Sequence, residues 1–438
     1  MGKISAGSSC GGSISVARLI PEKQRQFALH VVRRLQTAGF IAYWAGGCVR
    51  DQLLGRTPKD YDVATNARPG QIRRLFRKNK TLDLGAACGT ITVVGPRGAG
   101  QVEVTTFRQE SEYSDGRHPD RVWFTSAQED AQRRDFTING IFYDPVREVY
   151  IDYVDGQKDI ERRQIRAIDD PQLRFQEDKL RMLRAVRFAA ELGFTIEPAT
   201  FQAITQMADQ ILQVSAERIA GEMQRLLTAP FRAQGVRLLV ATGLARPLLP
   251  EILLPDGQPN PEWDRSVQLL ERLERPSFPL ALAALLAGIC TPRQVLAVGR
   301  RWRLSNQVTE RAAWLVEHHQ SLHQPADQPW SKLQPVLIHP GIQELLALME
   351  AKVLLGWVAP EDVRFCRQKL ALPPELLNPP PLITGDDLIR LGIPQGPIYK
   401  KILDQVRSAQ LDGLIQSADQ ALQLAQKIAQ NEKNSQPL

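Results

Sequence analysis

The spacing of hydrophobic positions changes once along the chain. In roughly the first third, short apolar or alternating runs are separated by glycine-rich and charged turns, a pattern that predicts strands mixed with short helices. From about Pro171 onward, apolar residues recur at helical intervals and mostly continue to do so, which predicts helices. We therefore predict a head that mixes strands with helices, followed by a helical remainder.

Two proline-rich stretches, 246–261 and 372–381, divide the helical part, because proline cannot continue a helix. The first residues, MGKISAGSSCGGS, lack the apolar core of a signal peptide and are typical of a disordered leader. The predicted units are a leader (1–20), a head (21–150), a neck (151–245), a body (262–370) and a tail (382–438).

Two acidic residues in the head are candidates for chemistry. Phe40 to Trp44 is a predicted strand, and Asp60 to Val63 is a second one. Residues two apart on a strand project to the same side, so Asp60 and Asp62 would present two carboxylates together. Such oxygen ligands suit Mg²⁺ that arrives with substrate phosphates, although a polar strand end also explains a lone pair of aspartates.

A glycine pair strengthens the first interpretation. Gly46 and Gly47 precede a short predicted helix, Val49 to Leu54, and lack the Cβ that would keep an anion away from the backbone. The start of a helix favours negative charge, and Arg50 would add a forked donor for a phosphate. We therefore predict a phosphate-binding turn beside the acidic pair.

Alternation places a third acidic residue. Thr90 to Val94 and Gln101 to Phe107 alternate like paired strands joined by a glycine-rich link. Glu103 falls on the face opposite the valines of its strand, from which it would approach Asp60 and Asp62 across the sheet. A surface glutamate opposite the core is the competing interpretation, and the pattern leaves both open.

Composition adds few constraints. With 438 residues the chain is long enough for several compact units, and a formal charge of +7 agrees with a polyanionic partner such as nucleic acid without requiring one. Five cysteines without a C-x-x-C pair indicate neither a disulfide framework nor a zinc site. The longest apolar run, Leu280 to Cys290, is too short to cross a bilayer, so we predict a cytoplasmic protein.

Three motifs match a known family. Gly46 to Asp62 reads GG-x-VRD-x-LLGR-x-x-x-D-x-D, Arg133 to Asn139 reads RRDFTIN, and Glu177 to Ala189 reads ED-x-x-R-x-x-R-x-x-RFA. They resemble the signatures of the class II tRNA nucleotidyltransferase (CCA-adding enzyme) and bacterial poly(A) polymerase family. The resemblance implies an α+β fold: a polymerase-β-like nucleotidyltransferase head with a mixed sheet, followed by an all-helical neck, body and tail.

The resemblance also implies nucleotide-binding roles in the second motif. Arg134 and Asp135 would lie at the nucleotide, where a guanidinium can fork onto phosphate. Asp135 and Asn139 would bond to ribose hydroxyls, since a carboxylate accepts and an amide both donates and accepts. A helix-capping role for Asp135 is compatible with this assignment.

The arginines of the third motif would read the base. On one continuous helix, Asp178, Arg181 and Arg184 are successive i, i+3 neighbours, and Arg187 lies about half a turn from Asp178. The resemblance implies that Asp178 and Arg181 template the base, because a carboxylate accepts from an exocyclic amine and a guanidinium donates to ring nitrogens or carbonyls. Arg184 and Arg187 would lie toward the triphosphate. A solvated basic face is the alternative for the whole row.

The function implied is template-independent addition of CCA to the 3′ end of tRNA from CTP and ATP. Asp60 and Asp62 would bind Mg²⁺ in two-metal phosphoryl transfer, with Glu103 as a helper. The tail would bind tRNA. No obligate protein partner and no membrane are expected.

Other functions stay open. An enzyme that adds only A would work beside a separate CC-adding enzyme; the intact segment Arg108 to Ser126 favours the ability to add A, because CC-only relatives tend to have lost it. A poly(A) polymerase is disfavoured by Val94 to Gly98, where those relatives carry a basic segment with phenylalanine. A non-catalytic RNA-binding protein or a basic helical scaffold would not release pyrophosphate.

Overall fold

The computed structural model of the chain describes residues 20–77, 80–85, 89–110 and 122–434. The predicted leader lies outside these residues except for Ile20, as do residues 111–121 of the segment Arg108 to Ser126. Contacts divide the described chain into two compact units. The first runs to Ala189 and includes Gly193–Val214, while the second holds Ala190–Leu192 and continues from Ser215. The predicted neck therefore contributes residues to both units, and the four-part division after the leader stays a prediction.

The first unit mixes helices with short strands. Its helices are α1 (Pro21–Thr37), α2 (Gly47–Leu53), α3 (Pro69–Phe76), α4 (Ala127–Gln132), α5 (Gly156–Glu161), α6 (Pro171–Glu177), α7 (Leu180–Leu192, whose last three residues group with the second unit) and α8 (Pro198–Met207). Its strands are β1 (Ala42–Ala45), β2 (Asp62–Thr65), β3 (Thr81–Gly85), β4 (Thr90–Val94), β5 (Gln101–Thr106), β6 (Arg108–Glu110), β7 (Val122–Phe124), β8 (Phe142–Asp144), β9 (Val149–Ile151), β10 (Gln164–Ile165) and β11 (Thr195–Ile196).

Seven of these strands form one mixed sheet in the order β3-β4-β5-β2-β1-β8-β9. Strands β2 and β5 run parallel, and the other neighbouring pairs are antiparallel. The predicted mixed sheet is confirmed. The neck differs from the all-helical expectation in one detail, because β10 and β11 pair as a parallel two-residue ladder. Strands this short carry too little periodicity for a sequence pattern to reveal them.

Strands β1 and β2 begin two residues later than predicted. The last pair of their antiparallel ladder joins Ala45 to Asp62. At the next residue, Gly46, φ is +72° and β1 turns away, which leaves the residues before Asp62 without a ladder partner on that side. Asp60 therefore lies just before β2, and the prediction that it shares a strand with Asp62 is wrong.

Aromatic side chains fill both faces of the sheet near its centre. On one face Tyr43, Phe107 and Phe142 contact one another, with ring centroids 5.9 to 6.3 Å apart. On the other face the buried ring of Trp44 lies 4.8 Å from that of Tyr61. The side chains of successive residues of β1 thus project from opposite faces of the sheet, as the two-residue period of a strand requires. The rigid centre of the sheet supports the ends of β1 and β2.

The second unit is built from helices in the residues that the structure describes. They are α9 (Ala216–Leu227), α10 (Arg232–Ala241), α11 (Ala245–Leu248), α12 (Trp263–Arg272), α13 (Phe278–Leu286), α14 (Pro292–Arg301), α15 (Asn306–His318), α16 (Trp330–Leu337), α17 (Ile342–Leu354), α18 (Pro360–Leu370), α19 (Pro374–Leu377), α20 (Gly385–Arg390), α21 (Ile398–Leu411) and α22 (Ala418–Asn434). Within the described ranges, none of the helices has the length and apolar character needed to span a membrane.

The predicted tail contains an apolar core of its own. Leu388 of α20, Ile402 and Val406 of α21 and Ala425 of α22 are buried together there. The apolar faces of these helices therefore point toward this core, as their helical spacing predicts.

Close packing of α14 against α15 depends on a glycine. A Cβ built on Gly299 would lie 2.2 Å from the Thr309 side chain, so we expect Gly299→Ala to lower the free energy of unfolding by about 1–3 kcal/mol through overpacking. Gly221 in α9 is the matched control, because a Cβ there meets nothing within 4 Å. Gly221→Ala should raise the free energy by up to about 1 kcal/mol. Urea unfolding measures both changes, and shifts of the same sign would contradict this account.

Candidate active site

The glycine turn after β1 is bounded by two guanidinium groups. Gly46 has φ +72° and ψ −132°, a conformation that favours glycine, and Gly47 begins α2. A Cβ on Gly46 would lie 3.3 Å from Nη1 of Arg134, and one on Gly47 would lie 3.7 Å from Nη2 of Arg50. The backbone of the turn therefore lies beside two positive charges, as the predicted phosphate-binding role requires.

The parallel pairing of β2 with β5 brings two acidic residues into register. Asp62 and Glu103 are Cα partners in this ladder. By the two-residue period both project from the sheet face that also carries Ala64 and Phe107. The structure thus places Glu103 opposite Asp62, and its part in the site stays a prediction. Only the strand order could reveal this placement, because the two residues are far apart in the sequence.

The electrostatics of Asp62 differ from those of an ordinary surface aspartate. Its carboxylate remains open to solvent, yet the surrounding protein removes enough water to raise its pKa to about 6, and the charges of Asp60 and Glu103 act in the same direction. Arg134 lowers this pKa, but not enough to offset the other effects. The acidic cluster therefore holds more negative charge than the nearby protein neutralises.

The cluster suits a cation that brings its own ligands. Among the residues that the structure describes, no group of three or more His, Cys, Asp or Glu side chains is arranged to enclose a metal ion. Mg²⁺ does not require such a cage, since it is usually bound through one or two carboxylates together with substrate phosphates and waters. Carboxylates that are under-neutralised, and that lie beside the glycine turn, fit this mode of binding.

Arg134 is held in place by a carboxylate that the sequence pattern did not single out. Asp130 of α4 is 1% exposed and accepts hydrogen bonds from Nη2 of Arg134 at 3.0 Å and Nη2 of Arg133 at 2.7 Å. Burial would raise the pKa of Asp130, but the two arginines lower it below its usual value. The i, i+3 and i, i+4 spacing of these residues on a helix was the available signal.

Asp135 is a second carboxylate of the site that is largely buried and fully hydrogen-bonded. Its Oδ2 accepts hydrogen bonds from Nε and Nη2 of Arg184 at 3.0 and 2.6 Å, and its Oδ1 accepts from Nδ2 of Asn139 at 3.1 Å and from the Phe136 backbone at 2.8 Å. Burial would raise its pKa, but Arg184, Asn139 and the charge of Arg181 lower it to about 2. In this structure Asp135 therefore joins the segment after α4 to α7.

Asn139 extends this network to the glycine turn. Its Oδ1 accepts a hydrogen bond from Nη1 of Arg50 at 3.0 Å, while Arg50 also donates to Asp51. The Arg50 and Arg184 guanidinium carbons each lie 5.4 Å from the ring centre of Phe188, within the range of a cation–π contact. Hydrogen bonds and ring contacts thus connect α2, Asn139 and α7 into one rigid arrangement.

The arginine row does not begin on the predicted helix. Helix α6 ends at Glu177 and α7 begins at Leu180, so Asp178 lies in the junction with extended backbone angles. Its Oδ1 accepts a hydrogen bond from the Leu180 backbone N–H at 3.1 Å. The expected i, i+3 relation between Asp178 and Arg181 on one continuous helix is therefore wrong. Asp178 instead caps the helix that carries the arginines.

The row is also not a solvated basic face. Arg181 is 8% exposed, and its Nη1 donates to the Arg174 carbonyl at 3.0 Å and to the Glu177 carboxylate. Arg187 is 3% exposed and lies 3.8 Å from the ring centre of Phe188. Arg184 keeps 31% of its side chain exposed. The structure therefore brings Arg184, but not Arg187, to the accessible part of the site.

Comparisons with known proteins match most of the chain. The family model described as Poly A polymerase head domain matches residues 42–166, and one described as probable RNA and SrmB-binding site of polymerase A matches residues 193–254. Proteins named CCA-adding enzyme from Geobacillus kaustophilus and Levilactobacillus brevis are 34% and 35% identical to the chain. The matches cover 93% and 92% of this chain and 98% and 97% of those proteins.

Solved structures resemble it over the same length. A crystal structure of the Bacillus stearothermophilus CCA-adding enzyme in complex with CTP has a TM-score of 0.72 at 31% identity, covering 94% of this chain and 99% of that one. The Thermotoga maritima CCA-adding enzyme complexed with tRNA has a TM-score of 0.62 at 19% identity, covering 94% and 97%. The second likeness concerns the fold alone.

Replacing Asp135 tests the network. Because its pKa is about 2 in the folded chain and 3.8 as the ordinary value, the ionised carboxylate contributes about 2 kcal/mol of stability above pH 4, which is lost as the pH falls toward 2. We expect Asp135→Asn to lower the free energy of unfolding at pH 7 and to lack this acid-dependent loss. Urea unfolding of the first unit at several pH values measures the difference. Asp209→Asn, at an exposed position in the same unit, should change neither quantity.

Asp62 should behave in the opposite way. Its raised pKa means that ionisation of Asp62 lowers the stability of the folded chain. This destabilisation is absent below about pH 4 and fully present above about pH 6. In the presence of a chelator, Asp62→Asn should therefore raise the Tm at pH 8, and the gain should vanish as the pH falls from 6 to 4. Thermal unfolding measures this gain. A gain that is independent of pH, or one shared by Asp209→Asn, would contradict the prediction.

Proposed function

This chain belongs to the family of CCA-adding enzymes, and we propose that it adds the 3′-terminal CCA to tRNA from CTP and ATP without a nucleic-acid template. The head is of the polymerase-β-like nucleotidyltransferase type, and helices form most of the remainder. The observation that carries the proposal is the under-neutralised cluster of Asp60, Asp62 and Glu103 beside the glycine turn, in a chain that matches such enzymes over nearly its whole length.

The reaction is a nucleotidyl transfer. The tRNA 3′ oxygen forms a bond to the α-phosphorus, the bond from that phosphorus to the oxygen bridging to the β-phosphate breaks, and pyrophosphate leaves while the 3′ hydroxyl loses its proton. Asp60 and Asp62 would hold Mg²⁺, with Glu103 as a further acidic group. When bound, Mg²⁺ would neutralise charge on the phosphates and activate the 3′ oxygen. The raised pKa of Asp62 supports this assignment, because it indicates a site that lacks a counterion.

The nucleotide phosphates would lie at the glycine turn. Gly46 and Gly47 would allow a close approach of the backbone, and Arg50, Arg134 and Arg184 would bring positive charge and further guanidinium N–H donors to the phosphates. Each guanidinium is already held by protein partners: Arg134 by Asp130, Arg184 by Asp135 and Arg50 by Asp51. Donors fixed before the substrate arrives stabilise developing charge without reorganisation. Arg187 would act indirectly, through its contact with Phe188.

Asp178 and Arg181 would select the base. Asp178 is oriented by its hydrogen bond to the Leu180 backbone, and Arg181 by Glu177 and the Arg174 carbonyl. A carboxylate and a guanidinium side by side can match the edges of both C and A, because each base presents an exocyclic amine next to a ring nitrogen. Asp135 and Asn139 would bond to the ribose only by exchanging part of their present network. A cytoplasmic location remains a prediction from the sequence.

Three tRNA transcripts test the proposed function. They end in the discriminator base, in C and in CC, and each is supplied with Mg²⁺ and labelled CTP and ATP. We expect all three to reach CCA with release of pyrophosphate. Asp60→Ala should abolish incorporation while leaving tRNA binding nearly intact, and Asp209→Asn should retain activity.

The products separate the competing functions. Extension of only the CC-ended transcript, by a single A, would identify an A-adding enzyme that works with a separate CC-adding one. A long A tail would indicate a poly(A) polymerase. Binding without pyrophosphate release would overturn an enzymatic function, and activity retained in Asp60→Ala would overturn the assignment of Asp60.

A further inference from the structure

A polar pocket lies within the second unit, far along the chain from the three motifs. It has a volume of about 340 Å³ and is lined by residues of α12, of α17 and of the segments that follow α15 and α17. Four basic side chains and one indole line it: Arg265, His319, His323, Lys352 and Trp357. None of its described lining residues is an aspartate or a glutamate. Arg265 and Lys352 give the pocket its positive charge, whereas burial lowers the pKa of His319, so that its ring is mostly neutral at pH 7. The pocket has the size of a small-ligand site.

Lys352 is the feature that needs explanation. It is only 9% exposed, and its ammonium group donates to the backbone carbonyl of His319. In the described part of the chain no carboxylate forms an ion pair with it. Burial, together with the charge of Arg265, lowers its pKa to about 8. Buried charges in proteins are usually paired, so the ammonium of Lys352 favours an anionic partner.

The groups around Lys352 complete a site for a phosphate. The Arg265 guanidinium lies 4.8 Å from the ring centre of Trp357, which holds its planar fork against the indole. The ion pair of Arg265 with Glu262, with 3.6 Å between Nη1 and Oε2, is exposed, and such pairs contribute little. His319 is oriented by a contact of Nδ1 with the Val316 carbonyl at 2.7 Å. An ammonium and a fork around one cavity match the several oxygens of a phosphate.

We propose that this pocket binds a phosphate group, either one from an RNA backbone or one carried by a free phosphate compound. The proposal does not depend on the reaction at the glycine turn, since every group it uses lies in the second unit. Phosphate would supply the counterion that Lys352 lacks.

Inorganic phosphate is the probe for the first test. The Tm of the full chain is measured against phosphate concentration, with chloride at equal ionic strength as reference. The variants are Lys352→Met, Arg265→Gln and, as the matched control, Lys332→Met at an exposed position. Comparison with the phosphate-dependent change in Tm of the control accounts for phosphate that binds elsewhere on the chain. We expect Lys352→Met to raise the Tm without phosphate, because an unpaired buried charge is gone, and to lose part of the phosphate-dependent increase.

The outcome decides the proposal directly. A reduced phosphate response in Lys352→Met and in Arg265→Gln, but not in Lys332→Met, supports it. Equal responses in all three variants overturn it. Should Lys352→Met fail to fold, Arg265→Gln alone still gives the answer, because Arg265 is exposed and its replacement leaves the core unchanged.

A second measurement distinguishes the two sources of phosphate, and this arm alone rests on the proposed function. The affinity for a tRNA transcript is measured against salt concentration for Lys352→Met and Lys332→Met. Loss of one backbone contact should make the slope of log K against log salt shallower by about one. A shallower slope assigns the site to RNA. An unchanged slope, with the phosphate response lost, assigns it to a free phosphate compound. Failure of CCA addition itself would leave the phosphate titration unaffected.

Discussion

The bond between Asp135 and Arg184 is the interaction on which the rest of the site depends. It joins a segment that follows α4 to the middle of α7, and Asn139 extends it to Arg50 beside the glycine turn. Removal of Arg184 would leave the largely buried carboxylate of Asp135 without the guanidinium to which it is bonded, and the loss of a buried partner costs several kcal/mol in typical cases. Because each guanidinium has a carboxylate partner, these donors stay oriented while the substrate is absent. The geometry for phosphate binding is therefore a property of the fold.

Asp135 and Asp62 show how one site uses carboxylates in two ways. The protein neutralises Asp135 so fully that its pKa falls to about 2, and this carboxylate stabilises the fold. Around Asp62, which stays exposed, the partial loss of water and the charges of Asp60 and Glu103 dominate, and its pKa rises to about 6. Such a residue destabilises the folded chain until a cation arrives. These opposite pKa shifts agree with a structural role for Asp135 and with the ligand-binding role proposed for Asp62.

The same contrast recurs among the buried cations of the second unit. Arg232 is 6% exposed, and its guanidinium donates to the carbonyls of Leu270, Ala229 and Leu273, so its hydrogen-bonding groups are satisfied by the helix ends it joins. Lys352 is buried to a similar extent but has a single carbonyl partner and opens onto a pocket. The guanidinium of Arg232 donates to three carbonyls, whereas the ammonium of Lys352, which has three N–H donors, has one carbonyl partner among the described residues. Because the ammonium of Lys352 has fewer partners than the guanidinium of Arg232, it can bind a ligand in the pocket.

The sequence by itself determined the part of the site that lies within one short segment, which is the glycine turn with Arg50. It also determined the class of the fold, a mixed head followed by a helical remainder. These follow from local periodicity and from backbone chemistry, which do not depend on distant residues. Only the tertiary structure decided that Glu103 lies opposite Asp62, since strand order and register are set by long-range packing. It also decided that Arg187 is buried and that Asp178 caps α7 rather than lying on it. The spacing of charges along a chain says which groups share a face, but burial depends on what packs against that face.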